Sequence, residues 1–287
     1  TIWVFYVNKL VIRYATLDMM PKGQSGAKRL SIEAGDAANP KNWKTNIVDL
    51  PDFGQPQTHA GFSVVATTTT LYLFWQDGHK VNMARLSVEN QQWDGPYIMV
   101  PQGLVVDYPK QNIMRPLHSQ DCVAATAIGD DVIALALNTM NWGPHGEGIP
   151  GYLGIFRIDD IDENNKTWMS RKKIDFLGTE SVSAGTCLSL EWFNGPGDPA
   201  TQEPQVVLWL TGQSVRLTQG PGVRDPYWIS NFYVLEGGTG LDGITPVGEW
   251  AGYRVDPNDI QATALKRDPA GRLTAVVASD DPKQRGL

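Results

Sequence analysis

The sequence predicts an all-β chain, a β-propeller of about five four-stranded antiparallel blades. Three observations carry this reading. A two-strand unit recurs along the chain, its first strand is apolar on both faces, and a tryptophan follows the unit.

The recurrence is plainest between residues 2–17 (IWVFYVNKLVIRYATL) and 71–86 (LYLFWQDGHKVNMARL), which align without a gap at an offset of 69. Each copy has an apolar run, a polar turn, a second β-like run and a closing leucine. The turns are read at Asn8-Lys9 and at Asp77-Gly78-His79-Lys80, and Asp-Gly between such runs is a hairpin signal. Looser copies pair residues 132–137 with 153–158, and 206–210 with 214–217. Their second strands end in Arg85-Leu86, Arg157-Ile158 and Arg216-Leu217.

A further strand precedes most hairpins, at residues 62–66, 122–128, 187–193 and 260–265. Trp43, Trp93, Trp168 and Trp228 follow the hairpins, and a short apolar stretch comes next, as at residues 47–50 and 97–100. Each unit then holds four short strands. A single sheet with two apolar faces cannot cover both of them, whereas sheets stacked radially cover one another.

The units start near residues 1, 59, 120, 185 and 258, and the whole of 1–287 is read as one propeller domain. The last unit is partial and the first lacks a leading strand. The C-terminal strands therefore close the ring against the N-terminal ones, or the chain is a piece of a longer propeller. Insertions at 18–39, 138–151, 194–204 and 235–250 break the spacing, and in repeat folds such insertions gather as loops on one face.

The composition fits a packed protein, with 41% hydrophobic and 19% charged residues. A net charge of -7, with no basic run longer than Arg171-Lys172-Lys173, argues against nucleic acid as a partner. No run of about 18 apolar residues offers a membrane span. Cys122 and Cys187 form no metal motif, and both buried thiols and a disulfide stay open.

The repeated pattern of IWVFYV or LYLFW, a short turn, a second strand, then Trp93-Asp94 or Thr167-Trp168 resembles the propeller lectins and propeller glycosidases as a broad group. The resemblance covers most of residues 1–280. Residues 161–168 (IDENNKTW) resemble the Asp-box of sialidase-like propellers, Ser-x-Asp-x-Gly-x-Thr-Trp. Thr167-Trp168 match it, while Ile161, Glu163 and Asn165 depart from it. The resemblance implies sugar recognition or glycoside hydrolysis in an extracellular or secreted protein. It also implies an early acidic residue in a glycosidase, which the first strand lacks.

Sugar binding needs flat aromatic faces and polar groups for hydroxyls, and the chain has ten Trp and nine Tyr. Trp142 and His145 in the 138–151 insertion, and Tyr227 and Trp228 in 223–228, stand among turn residues and are the expected ligand-binding positions. Arg85, Arg157 and Arg216 recur at matched positions, where they line equivalent clefts or brace neighbouring sheets. Trp3, Trp75, Trp192 and Trp209 are assigned to packing between sheets.

Hydrolysis needs two carboxylates about 5 Å or about 6.5–9.5 Å apart. Asp121, Glu191 and Asp259, near the starts of inner strands, are the candidates. Glu180 and Asp107 fall in connecting loops. No cofactor is expected. Asp160, Asp162 and Asn164 have the spacing of a calcium loop, but Asn165 stands at the glycine position and Arg171 at the twelfth, so Ca2+ is weakly supported and an acidic turn is the plainer reading. His59, His79, His118 and His145 show no metal spacing, and Asn165-Lys166-Thr167 is an N-glycosylation sequon.

Three functions remain: a glycan-binding propeller, which the aromatic supply favours; a propeller glycoside hydrolase; and a protein-interaction scaffold.

Overall fold

The computed structural model describes residues 1–17, 39–58, 61–77, 80–100, 123–137, 152–175, 182–194, 206–217, 224–235, 244–246, 251–254, 262–267 and 273–278, and beyond residue 192 it describes the backbone alone. These residues form β-strands and short 3-10 turns, with no α-helix among them.

β1 (Ile2–Asn8) and β2 (Val11–Leu17) form the first hairpin, and β3 (Lys44–Ile47) pairs with β2. The turn falls at Lys9-Leu10, one residue later than the sequence suggested. Both residues take positive φ, 51° and 69°. A tight two-residue hairpin turn requires this conformation at both central positions, because it matches the twist of the flanking strands.

The second sheet is a meander of β4 (Phe62–Ala66), β5 (Thr70–Asp77), β6 (Lys80–Ser87) and β7 (Trp93–Val100). Its second strand shows why the apolar run is continuous. Leu73 and Trp75 pack against Ile12 and Tyr14 of the first sheet and against Val48 and Leu50, which follow β3. Tyr72 and Phe74 pack the other way, against Val123, Ile133, Leu135 and Phe156 of the third. Side chains alternate across a strand, so a sheet covered on both sides needs apolar residues at odd and even positions alike.

Gly95 sits at an irregularity in the β6–β7 ladder, at φ 129°. A Cβ there would meet the Met83 carbonyl oxygen at 3.0 Å and Ala84 Cα at 3.1 Å. Only glycine fits this combination of backbone angle and close approach.

The third sheet consists of β8 (Val123–Ile128), β9 (Val132–Leu137), β10 (Tyr152–Arg157) and, after an insertion, the strand Lys172–Asp175. The insertion is itself a hairpin, β11 (Ile161–Asp162) and β12 (Thr167–Met169), which makes the Lys172–Asp175 strand β13. β12 runs parallel to β7 and extends the second sheet to six strands. Trp168 thus does not begin the fourth strand of its own unit, as the repeat suggested. It crosses to the neighbouring sheet and is fully buried between Tyr72 and Phe156.

β14 (Val182–Asn194), β15 (Val206–Leu217) and β16 (Arg224–Leu235) make the fourth sheet, with β17 (Ile244–Pro246) and β18 (Ala251–Arg254) both on β16. Two expectations are corrected here. Residues 206–210 and 214–217 are no hairpin but one continuous strand, because Thr211-Gly212-Gln213 stays extended against Ser230, Ile229 and Trp228. Residues 224–228 are likewise no loop insertion. Tyr227, Trp228 and Ile229 are β-formers and lie within β16, between β15 and β18. β19 (Ala262–Arg267) and β20 (Leu273–Ala278) form a last hairpin.

The fold of the described residues is all-β, a succession of antiparallel sheets with one parallel pairing and no closed barrel or ring. The leading strands are edge strands and lie beside one another: β4 next to β8, β8 next to β14, and β14 next to β19.

Candidate functional site

An unpaired strand edge presents bare N–H and C=O groups and must be covered or put to use. Here the edges of β1, β4, β8 and β14 converge on one cleft of about 520 Å3. Val64, Val65 and Ala66 line it from β4, and Ala125, Thr126 and Ala127 from β8. Consecutive residues of one strand point to opposite faces. They reach the same cleft only because it runs along the strand edges. One edge is tied off directly, as the Ala125 N–H donates to Ser63 Oγ at 3.0 Å.

Aromatic side chains form much of the wall. Trp3 and Phe5, two residues apart on β1, face the cleft with Phe62 and Trp192. The Trp3 and Phe5 rings lie nearly parallel, 16° apart with centroids 6.4 Å apart. Tyr14 stands behind them, 5.4 Å from Trp3 and 5.6 Å from Phe5, and Trp93 meets Phe5 edge-on at 6.3 Å. These contacts fix the two rings, so little side-chain entropy is left to lose when a flat ligand lands on them.

The cleft contains one carboxylate among the described residues, Glu191. It interrupts the apolar run Leu190-Glu191-Trp192 on β14. The buried Thr126 hydroxyl donates to Glu191 Oε1 at 2.9 Å, and the Trp192 N–H donates to the same oxygen at 3.2 Å. No described residue donates to Oε2. The carboxylate is therefore oriented by two donors, with one oxygen left to accept from a ligand.

No protein-family model, curated protein or solved structure matches this chain.

The sequence-derived positions distribute unevenly around the cleft. Glu191 faces it. Asp121, Asp259, Trp142, His145 and all four histidines lie outside the described residues, as does Cys122. Tyr227 and Trp228 sit in β16, and Arg216 sits in β15 opposite Asp225. Neither Arg85 nor Arg157 lines the cleft, and their partners differ. Arg157 Nε pairs with Asp159 at 2.9 Å. Trp3 and Trp192, assigned to packing from sequence, both line the cleft, and Phe5, Phe62 and Thr126 join them unannounced. Phe62, Thr126 and Trp192 lie on the leading strands β4, β8 and β14, and Trp3 and Phe5 on β1, the edge strand of the first sheet among the described residues.

Arg85 belongs to a second polar group, where the β11–β12 hairpin docks on β6 and β7. Its guanidinium donates to Asp94 Oδ2 at 2.6 and 2.9 Å and to Glu163 Oε1 at 2.7 Å. The Tyr97 hydroxyl stands within donating distance of Asp94 Oδ2, at 2.6 Å, and of Glu163 Oε2, and its one proton serves one of them at a time. Lys166 Nζ lies 3.3 Å from Asp94 and 4.6 Å from the Tyr97 ring centroid. Burial alone raises both carboxyls, but the Tyr97 hydroxyl and the Arg85 guanidinium outweigh it and hold Asp94 and Glu163 below the ordinary carboxylate range. Burial, followed by hydrogen bonding to the two carboxylates, pushes the Tyr97 hydroxyl far up.

The residues read for calcium-loop spacing and for an Asp-box act as a turn. Asp162 Oδ1 accepts from the N–H groups of Asn164 and Asn165, each at 3.0 Å, and Asp160 pairs with Arg171 at 2.6 Å. The Trp168 indole N–H donates to the Arg157 carbonyl at 2.6 Å.

Proposed function

We propose that the chain is a glycan-binding propeller and that its site is the cleft between the leading strand edges. One observation carries this reading: near-parallel, braced aromatic rings stand in the same cleft as an oriented carboxylate. Sugars present flat C–H faces that stack on aromatic rings, and hydroxyls that a carboxylate oxygen accepts from. The volume of about 520 Å3 suits a mono- or disaccharide-sized ligand.

The neighbouring leading strands β4, β8, β14 and β19 support the five-bladed propeller, as do the meanders stacked face to face. In that arrangement the cleft is the axial channel. A secreted or extracellular setting goes with this reading.

A second reading has one observation in its favour. Glu191 was a candidate carboxylate for hydrolysis, and it stands in the cleft. Asp121 or Asp259 is then the partner acid. Hydrolysis of aryl glycosides that is abolished in Glu191→Gln would establish this reading, and inert aryl glycosides across a broad panel would remove it.

The glycan reading is tested by screening the full chain on a glycan array and titrating each hit by intrinsic tryptophan fluorescence. A saturable hit supports it, and a blank array contradicts it.

A further inference from the structure

We infer that the glycan taken by this cleft carries a free, protonated amine, which makes it an amino sugar in preference to a neutral or acidic one. The inference rests on the glycan reading above.

Glu191 is the only ionisable side chain among the described residues that line the cleft. Both donors to it, Thr126 and the Trp192 N–H, converge on Oε1. Neither donor is charged, and no described cation pairs with the carboxylate. An opposite charge is the partner that stabilises a carboxylate most. A neutral sugar gives Oε2 a hydroxyl and leaves the charge uncompensated. A uronic or sialic acid sets a second carboxylate against the first, which disfavours both. An ammonium group supplies both the donor and the charge.

The walls point the same way. Trp3, Phe5, Phe62 and Trp192 line the same cleft as the acid. A cation within about 6 Å of an aromatic face is attracted by the ring quadrupole, most strongly at Trp. Among the described residues the cleft thus offers a cation two kinds of stabilisation, the Glu191 carboxylate and the aromatic faces. The group of Arg85, Asp94, Glu163 and Lys166 is balanced within itself and adds no net charge.

The experiment titrates the full chain with glucosamine oligomers, N-acetylglucosamine oligomers and glucose oligomers of equal length. Calorimetry and tryptophan fluorescence are read at fixed ionic strength. The amine series is expected to bind about tenfold more tightly than the other two. Glu191→Gln, with its fold checked by circular dichroism, is expected to abolish the amine preference, so that the amine series binds this variant no more tightly than the neutral series does. Equal affinities for the three series in the wild-type chain overturn the inference and leave the glycan reading standing. So does an amine preference that survives Glu191→Gln, since the whole chain's negative charge then explains it. If no series binds, the inference falls. The array then decides the broader reading on its own, because a hit among uncharged sugars keeps it and a blank does not.

Discussion

The hydroxyl of Thr126 donates to Oε1 of Glu191 at 2.9 Å, across the gap between the leading strands of two successive sheets. That bond joins β8 to β14 and holds a carboxylate that lines the cleft. Thr126→Val keeps the shape and removes the donor. A net hydrogen bond to a charged group amounts to about 1.5–3 kcal/mol. Affinity for the array hit is expected to fall by about tenfold or more, with the circular dichroism spectrum unchanged, as fluorescence titration will show.

Trp3 and Phe5 are braced from behind by Tyr14, so the stacking face is built before any ligand arrives. Trp3→Ala removes half of it. An aromatic contact contributes about 0.5–1.5 kcal/mol beyond its area. Binding is expected to weaken by about three- to tenfold, and calorimetry should show the loss mainly in the dissociation constant with stoichiometry preserved.

Trp168 anchors the β11–β12 hairpin between two sheets. Its ring is fully buried, and its indole N–H is bonded to the Arg157 carbonyl. Trp168→Ala leaves a large cavity and an unpaired carbonyl. Equilibrium urea unfolding is expected to show a loss of about 3–5 kcal/mol.

The hairpin clasp has its own pH signature. Asp94 and Glu163 have folded-state pKa values below their unfolded ones. Their contribution is therefore present above the ordinary carboxylate range, at about pH 4, and is lost as the pH falls through the lowered values. Tyr97 is shifted upward, so its contribution is present below about pH 10 and is lost as the pH rises beyond that. Removing the clasp in Asp94→Asn/Glu163→Gln is expected to cost about 1 kcal/mol at pH 7, since the groups are partly exposed. Unfolding curves of wild type and variant should converge near pH 2. A difference that persists there would mean that the lost stability is not electrostatic.

Strand content was legible in the sequence because it has a local cause. LYLFWQ reads as a strand covered on both faces, and β5 is one. Leading strands were readable for the same reason, as at Val123–Ile128. The errors came from non-local pairing. Thr211-Gly212-Gln213 looks like a turn until β16 pairs along its whole length. Trp168 fits the repeat until β12 crosses to β7. Glu191 stood out as an acid inside an apolar run. Trp3 and Trp192 did not, because an aromatic residue on a β-strand looks the same whether its strand edge meets another sheet or a cleft. Thr126 carried no signal, since its role depends on a residue 65 positions away.

The most direct test compares the array hit's affinity for Trp192→Ala with its affinity for Trp142→Ala and Trp228→Ala. If the cleft is the site, Trp192→Ala loses at least tenfold, while the other two stay within about twofold of wild type. Loss in Trp142→Ala or Trp228→Ala with Trp192→Ala unaffected would place the site in the loop and strand positions first read from sequence, and would contradict the cleft.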